Sequence, residues 1–376
     1  MKKGRVGFIL LSVVVLAALV VSCGGGSPQQ QAAARPAPAP QQDIAPHEIS
    51  LYDHVTPDYV IRMGVSDPIE DLAFGMEYTQ GVIFKNVTEA LTAGKVQVEV
   101  YPSFQLGPMM QQIEAVQAGD QHMMTGTGGM PQFYPPWQAF SIPFLFKNDH
   151  VAVEVMSHSD IAREMYEDFR QQTGMRILGM SQNGFRHFTN NQRPIRTPAD
   201  LEGLRFRVMA GPVYQRVVEA LGASAIPIDW SELYTALQTG VVDGQENAVS
   251  AVKMGSFDEV QKYITLNGHL WAENFIIIND DFYNSLPEQY QQVLKLAGFM
   301  AEITGTASEI MASYHDGVQY ALNRGMEIYA PTSDELNQFR DKAQEPVVRW
   351  LRSQIGDYWV DGFLQAAADA EAKYGY

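Results

Sequence analysis

The sequence predicts an α/β fold in which a mixed or parallel sheet is covered by helices. Between residues 59 and 118 the chain shows a strand, helix, strand, helix order, which is typical of α/β folds. Between residues 197 and 247, helix-capping signals again alternate with short strand patterns. About 320 residues follow the N-terminal region. This length exceeds what a single hydrophobic core usually contains, so two domains are favoured.

Residues 1–22 have the pattern of a bacterial lipoprotein signal peptide. Three basic residues among the first five precede an apolar run from Phe8 to Val21 that is too short for a comfortable membrane span. Small residues precede Cys23, as in a lipobox, so we expect Cys23 to be lipidated and to begin the mature chain. Cys23 is also the only cysteine, which excludes a disulfide framework and a catalytic thiol in the mature domain.

The segment after Cys23 predicts a tether. From Gly24 to about Glu48 it is rich in Gly, Pro, Ala and Gln and poor in large apolar residues, so it cannot bury enough surface to fold. We interpret residues 23–57 as a lipid-anchored flexible linker that holds the folded part on the order of 30 Å from the anchor.

The charge of the chain narrows the choice of partners. The formal net charge is −17, and removal of the basic signal peptide makes it more negative. Nucleic acid and anionic lipid are therefore poor partners for the bulk surface. An acidic protein that binds an anion must do so with a few local arginines or helix N-termini.

The first elements follow from apolar periodicity. In chain order we predict a strand at 59–64, a helix from about Ile69 to Leu91, a strictly alternating strand at 96–101, and a helix at 109–118 closed by Gly119.

In the middle of the chain, Thr197-Pro-Ala-Asp200 is a capping box with proline at the first helical position, and Gly203 ends that short helix. The next segment, 204–208, alternates, which places Leu204, Phe206 and Val208 on one face and Arg205 and Arg207 on the other.

Three further elements are predicted before residue 247. A helix begins at Pro212 and ends at Gly222, and residues 226–228 are extended. Asp229 and Glu232 cap a helix at 231–239, and Val241-Val242 begins a strand that breaks at Gly244. Ligands of open α/β sheets bind at the carboxyl ends of the strands, in the loops that lead from a strand to the next helix.

The C-terminal third predicts a buried strand and long helices. Residues 274–278 are a continuous apolar run suited to a strand buried on both faces. A capping box at 285–288 opens a helical pattern that runs to Asn323, roughly 55 Å if unbroken, with glycines at 298, 305 and 317 as places for a kink. Residues 334–376 predict two or three amphipathic helices.

Four residues are candidates for a binding pocket. Arg207 presents a rigid fork that can pair with a carboxylate through two parallel hydrogen bonds, although a solvated strand arginine is the alternative. Arg186, in a Gly-containing segment predicted as a loop, is a second cation or a plain surface residue. Asn247 can bind a ligand through its amide or serve the turn, and Trp230 is either an apolar wall or part of the core.

Other motifs point away from catalysis. The segment Gly126-Thr-Gly-Gly129 resembles an anion-binding loop, but it lacks the spacing of a P-loop or a dinucleotide fingerprint. The histidines show no metal-ligand spacing and there is no GxSxG elbow. Asp243 and Glu246 form a possible carboxylate pair, for which capping and turn roles suffice. We expect no enzyme activity, no cofactor and no metal.

The strongest motifs together resemble a known family. They are Asp200 to Val208 (DLEGLRFRV), Ala220 to Ala223 (ALGA), Ser231 to Gln238 (SELYTALQ), Gly240 to Asn247 (GVVDGQEN), QLG at 105–107 and SLP at 285–287. In this combination the chain closely resembles the DctP-type substrate-binding proteins of tripartite ATP-independent periplasmic (TRAP) transporters. The resemblance covers nearly all of residues 58–376.

The resemblance implies a periplasmic-binding-protein-like fold of two α/β lobes joined by crossing strands and a long helix. Lobe I would comprise residues 58–183 and 273–312, and lobe II residues 184–272 and 313–376 with the C-terminal helices. The lobes would close on a small carboxylate and deliver it to the small and large membrane subunits of a TRAP permease.

In that family, the arginine that makes the two-pronged bond to the substrate carboxylate falls on Arg207. The other pocket positions fall on Asn247, on Trp230 and on Arg186. The family often has proline after the asparagine, whereas this chain has Ala248, which predicts a less rigid turn.

Two further functions remain open on the residues alone. One is a ligand-sensing lipoprotein subunit that signals to a membrane receptor, whose pocket would look the same. The other is a hydrolase that uses Asp243 and Glu246. The aromatic side chain of Trp230 allows a ligand with an apolar tail or ring, and Arg186 allows one with a second carboxylate.

Overall fold

The computed structural model describes residues 45–376, so Cys23, the signal peptide and most of the linker lie outside the described residues. The strands are β1 (Tyr59–Val65), β2 (Val96–Tyr101), β3 (Met123–Gly126), β4 (Met175–Asn190), β5 (Arg205–Val208), β6 (Ser224–Pro227), β7 (Gly244–Asn247), β8 (Tyr263–Asn279) and β9 (Glu327–Tyr329). The helices are α1 (Met76–Leu91), α2 (Met109–Ala118), α3 (Asp149–His158), α4 (Asp160–Thr173), α5 (Pro212–Leu221), α6 (Trp230–Gln238), α7 (Ser250–Met254), α8 (Asp280–Ser285), α9 (Glu288–Ile310), α10 (Val318–Asn323), α11 (Ser333–Ile355) and α12 (Asp357–Tyr374).

The strands form a mixed sheet in the order β2-β1-β3-β8-β4-β7-β5-β6, with β9 paired to β8. The two long strands, β4 and β8, are antiparallel to each other and run through the middle of it. One half of the sheet is completed by β1, β2 and β3, and the other half by β5, β6 and β7. Helices cover the sheet, so the predicted α/β class is confirmed.

The long strands join the two halves through irregular pairing. Strands of 16 and 17 residues exceed the usual length of 3–10. Their register shifts between Gln182 and Gly184 and again between Arg186 and Phe188, and such bulges bend a strand locally. A further shift lies between Ile177 and Gly179. The shift between Gln182 and Gly184 lies at the position where we predict the boundary between the lobes.

The predicted long helix is present from Glu288 to Asn323, where α9 and α10 are joined by a π-helical segment, Met311–Gly317. Glycine lets α9 lie against β4, because a Cβ at position 298 would be 2.3 Å from the Leu178 carbonyl oxygen. The π-helical segment interrupts the regular α-helical hydrogen bonding and ends at Gly317, one of the glycines named as a place for a kink.

Two predicted boundaries are wrong. The helix expected from about Ile69 begins at Met76, because Asp71 organises a turn: its carboxylate accepts the N–H of Ala73 at 2.9 Å and its carbonyl accepts the N–H of Gly75. The strand expected to start at Val241 and break at Gly244 instead begins at Gly244. The polar residues that were assigned to a turn are themselves the strand β7.

Neighbouring groups satisfy much of this buried polar strand, although Gln245 Oε1 has no hydrogen-bond partner. All four residues of β7 are buried, and the strand pairs with β4 and β5. Gly244 permits this approach, since a Cβ there would be 2.2 Å from the Thr189 carbonyl oxygen. Gln245 donates to the Thr189 hydroxyl at 3.0 Å, and Glu246 forms a buried ion pair described below.

The ends of the described segment also pack on the domain. The Ser50 hydroxyl donates to Glu89 at 2.8 Å, so the described end of the assigned linker contacts α1. At the other end, α12 lies against α3, and the Tyr374 hydroxyl donates to Glu154 at 2.8 Å. No helix among residues 45–376 has both the length and the apolar composition needed to cross a membrane.

Candidate functional site

Arg207 is positioned by the short strand β5, between β6 and β7. The predicted alternation of this strand is confirmed for Phe206 and Val208, which are fully buried in the core. Arg207 points to the other face but is only 3% exposed. Its neighbours in register are Ile226 on β6 and Gln245 on β7.

The Arg207 guanidinium is a buried cation without a counterion. Its Nε donates to the Ile228 carbonyl oxygen at 2.8 Å, and no carboxylate within residues 45–376 forms an ion pair with it. Nη1 is fully buried and has no partner. Burial and the positive charge of Arg186 lower the pKa of Arg207 to about 10. The negative charges of Glu246 and Asp229 act in the opposite direction and raise it. A bound anion would offset this cost.

Asn247, at the end of β7, has its side chain fixed by two donors. Its Oδ1 accepts from Arg186 Nη1 at 3.0 Å and from the Ala248 N–H at 2.9 Å. A proline after the asparagine has no N–H to make the second bond, so Ala248 contributes a constraint that proline would lack. Because Oδ1 is occupied, the Nδ2 donor is the group of Asn247 that is left for a ligand.

Arg186 lies inside β4 rather than in a loop, and it does not line the cavity described below. Its Nε donates to Glu246 Oε2 at 2.6 Å, and its Nη2 donates to Glu246 Oε1 and to the Glu246 carbonyl. Its Nη1 also reaches Asn183 Oδ1 at 3.3 Å. Both side chains of the ion pair are buried, so the donors of Arg186 are used within the protein.

Arg186 and Glu246 form an ion pair behind the pocket, and the pKa of Glu246 shows that both side chains are charged. Burial on its own raises the pKa of Glu246, but the charges and hydrogen bonds of Arg186 and His269 together outweigh it and lower that pKa to about 2. The pair therefore stays ionised at neutral pH. Its hydrogen bonds to Asn183 and Asn247 fix two amides that face the cavity.

Trp230 opens α6, directly after Asp229, whose carboxylate accepts the Ser231 N–H at 3.1 Å as a helix cap. The indole is half-buried and packs edge to face on Phe257, with ring centroids 5.4 Å apart. One side of Trp230 thus belongs to a small core and the other lines the cavity.

These residues surround a cavity of about 100 Å³. It brings Arg207, Asn247 and Trp230 together and leaves Arg186 outside its lining. The other polar lining residues are Ser66, Asp67, Glu77, Thr127, Asn183 and Asp229. The apolar lining includes Phe104, Met109, Met110, Met209, Ile228 and Met254. A mostly apolar wall with a few convergent polar groups is typical of small-molecule sites.

The glycine-rich segment singled out in the sequence belongs to this wall. Thr127, Gly128 and Gly129 line the cavity, and both glycines have positive φ angles, 73° and 77°. The Thr127 hydroxyl is buried without a partner, so it is available to a ligand. A Cβ at Gly128 would lie 2.9 Å from the sulfur of Met209, so glycine permits this close packing across the pocket.

The carboxylates considered for hydrolysis are used elsewhere. Asp243 pairs with Arg205 at 2.9 Å and accepts the Arg205 N–H, and Glu246 is held by Arg186. Neither lines the cavity. Across residues 45–376 no cluster of three or more His, Cys, Asp or Glu side chains is arranged to hold a metal ion.

Asp67, Glu77 and Asn183 were not predicted as pocket residues. Asp67 follows β1 at the carboxyl end of a strand, a position that could have suggested a ligand contact. Glu77 lies in the first turn of α1, where an acidic residue is ordinarily explained by the helix dipole. Asn183 sits in the middle of β4, and nothing in its local sequence separates it from its polar neighbours.

Buried acids make stability depend on pH. Burial raises the pKa of Asp67 and of Glu273 to about 7, whereas both groups titrate near 4 in the unfolded chain. The unfolded state therefore binds fewer protons above pH 5, and the free energy of unfolding falls as pH rises through 7. Between pH 6.5 and 8 we expect a loss of roughly 1 kcal/mol for each group.

Urea unfolding of the ligand-free protein at pH 6.5 and pH 8 measures this loss. Glu273→Gln should remove part of it, and the exposed control Glu219→Gln should not. Equal or greater stability at pH 8 would contradict the assignment. Below pH 6.5 the buried His187 opposes part of this trend, because burial lowers its pKa to about 3 and the unfolded histidine takes up a proton first.

Comparisons with known proteins identify the family of the chain. The family described as bacterial extracellular solute-binding protein, family 7 (DctP) matches residues 76–353. A "Solute-binding protein" of Verminephrobacter eiseniae is 35% identical over 56% of this chain, and the match spans 62% of that relative's length. The C4-dicarboxylate-binding periplasmic protein DctP of Rhodobacter capsulatus is 33% identical, over 76% of this chain and 85% of its own.

A solved structure has the same fold. The crystal structure of a TRAP periplasmic solute-binding protein from Desulfovibrio salexigens with bound orotic acid superimposes with a TM-score of 0.77. It covers 84% of this chain and 99% of its own at 26% identity.

Proposed function

Because this chain belongs to the bacterial extracellular solute-binding proteins of family 7, it is a solute-binding protein of the TRAP type, and we propose that its solute is a small organic acid whose carboxylate binds Arg207. The relatives named above bind C4-dicarboxylates and orotic acid. The carboxyl group is what these ligands share.

The observation that carries the proposal is the unpaired guanidinium of Arg207. A buried charge is normally paired, yet Nη1 of Arg207 has no partner, and the Arg207 side chain lines the cavity. Only Nε is used by the protein. The two terminal nitrogens form a fork that matches a carboxylate, and the remaining wall supplies no carboxylate within ion-pair distance.

The other predicted site residues take complementary roles. Asn247 donates its Nδ2 to a ligand oxygen, and Trp230 supplies a flat apolar wall. Arg186, predicted as a second contact, acts as a positioning residue, because its donors already hold Glu246, Asn183 and Asn247.

Capture would occur between the two lobes, residues 58–183 with 273–312 and residues 184–272 with 313–376. A ligand that contacts both lobes binds the closed form better and so shifts the population toward it. The cavity has the arrangement this requires, since Asp67 and Glu77 come from one half of the sheet and Arg207 and Asn247 from the other. The bulges in β4 are candidates for the hinge.

We assign delivery to a TRAP permease made of small and large membrane subunits, with no chemical change to the solute. The relatives named above are binding proteins, so transport is better supported than receptor signalling. The site needs no cofactor for this role.

Native mass spectrometry of the purified protein, followed by a thermal-shift panel of carboxylic acids, tests the function. A copurified acid, or an acid that raises Tm in proportion to its saturation, is the expected result. Amides of the same acids serve as controls, because they keep the shape and lack the charge. If the amides stabilise the protein as well as the acids do, carboxylate recognition is wrong.

Lipidation of Cys23 would tether the protein to a membrane and raise its effective concentration near the permease. We predict that the full-length protein fractionates with membranes and carries a mass increase consistent with a lipid on Cys23. Cys23→Ser should abolish both, whereas Ser22→Ala, next to it, should leave both. Membrane association unaffected by Cys23→Ser would refute the anchor.

A further inference from the structure

The cavity contains a second recognition point that the carboxylate at Arg207 does not use. Asp67 and Glu77 line the same cavity and are 6% and 1% exposed. They belong to the half of the sheet that holds β1, whereas Arg207 belongs to the half that holds β5. A ligand that spans the cavity therefore meets a cation on one wall and two acids on the other.

Helix capping accounts for only part of this acidic pair. Asp67 Oδ2 accepts the N–H of Glu77, in the first turn of α1, at 2.8 Å. That bond explains why Asp67 is buried. Glu77 caps nothing with its Oε2, which is buried and has no hydrogen-bond partner. In the described part of the chain, no lysine or arginine lies within ion-pair distance of either carboxyl group.

The charged residues around Asp67 and Glu77 do not neutralise the acidic pair. The negative charge of Glu70 raises the pKa of Asp67, and that of Asp67 raises the pKa of Glu309. Lys253, whose charge acts on Glu70, is paired with Asp316. Burial raises the pKa of both groups, that of Asp67 to about 7, and repulsion from Asp67 raises the pKa of Glu77 further. The raised pKa favours the protonated forms near neutral pH, and the pair lines the cavity with no hydrogen-bond partner at Glu77 Oε2.

A ligand whose carboxylate binds Arg207 could place one of three kinds of chemical group beside Asp67 and Glu77. A second carboxylate would add a negative charge beside two acids whose pKa is already raised, and would lose affinity. An apolar end would leave Glu77 Oε2 unsatisfied in a closed cavity, at a cost comparable to a lost hydrogen bond. Hydroxyl or ammonium groups donate hydrogen bonds and satisfy the buried oxygen.

We propose that Asp67 and Glu77 select monocarboxylates that carry hydrogen-bond donors, hydroxyl or ammonium, at the end remote from Arg207. This inference rests on the proposed function, since it takes the carboxylate at Arg207 as given. It predicts a preference for hydroxylated or amino acids over plain dicarboxylates and plain fatty acids of the same length.

Four-carbon probes of matched length test the selectivity by calorimetry: D-erythronate, 4-aminobutyrate, succinate and butyrate. Wild-type protein should bind D-erythronate or 4-aminobutyrate at least tenfold more tightly than succinate and butyrate. Which of the two binds better separates hydroxyl from ammonium recognition. Succinate or butyrate binding as tightly as both donor-bearing probes would overturn the inference, and no variant is needed for that result.

Glu77→Gln, which keeps the shape and removes the charge, should reduce the preference for the better donor-bearing probe over succinate at least tenfold. The exposed variant Glu219→Gln is the matched control and should leave it unchanged. An unchanged preference in folded Glu77→Gln would also overturn the inference. By contrast, wild-type protein that binds no probe and no carboxylate of the wider panel would count against the proposed function itself.

Discussion

Arg207→Ala is expected to weaken carboxylate binding by at least tenfold. Truncation of one partner of a buried charge pair costs about 2–5 kcal/mol, which corresponds to about 30-fold to several-thousand-fold in Kd. The same change should not destabilise the ligand-free protein strongly, because Arg207 makes one hydrogen bond to the protein and no ion pair. Calorimetry with the acid identified by mass spectrometry measures the affinity.

Arg207→Lys separates charge from geometry. Lysine keeps the positive charge but lacks the two-nitrogen fork, so we expect an affinity between those of the wild type and Arg207→Ala. Arg205→Ala is the matched control, since Arg205 lies on the same strand, is exposed and pairs with Asp243. Unchanged affinity in Arg207→Ala, or an equal loss in Arg205→Ala, would remove Arg207 from the role of anchor.

Glu246→Gln is expected to destabilise the fold most among the site variants. It leaves Arg186 as a buried cation without a carboxylate, and loss of one partner of a buried ion pair costs about 3–5 kcal/mol. Glu345→Gln removes the partner of Arg349 in an exposed pair and should cost under about 1 kcal/mol. Urea unfolding compares the two variants at one pH.

The double variant Arg186→Met with Glu246→Leu tests whether the pair positions the site. Replacement of a buried ion pair by apolar residues can restore stability. The bonds from Arg186 to Asn183 and Asn247 would still be absent, so affinity should remain low when stability recovers. A stable double variant with wild-type affinity would show that the pair has no positioning role.

The sequence predicted the pocket best where local pattern determines structure. The alternation of residues 204–208 placed Arg207 opposite two core residues, and the cap at Asp229 placed Trp230 at a helix start. Both signals act within a few residues. The helix from 288 to 323 was readable from its apolar positions. The capping box predicted at 285–288 is wrong, because the Ser285 hydroxyl donates to the Phe282 carbonyl and no side chain caps α9.

The sequence could not predict what depends on pairing across the chain. Residues 244–247 were read as a turn because they are polar, and they form a buried strand because Arg186, 60 residues away, satisfies Glu246. The same distance hid the role of Arg186, which looked like a loop residue facing a ligand. Asp67 and Glu77 were missed because only the folded sheet places them across the cavity from Arg207.

A crystal structure of the protein with its acid bound tests the central claim most directly. The proposed function predicts a ligand in the cavity between Arg207 and Asp67, with its carboxylate accepting hydrogen bonds of about 2.7–3.2 Å from Nη1 and Nη2 of Arg207. An ordered acid whose carboxylate makes no contact with Arg207, wherever else it binds, would contradict it.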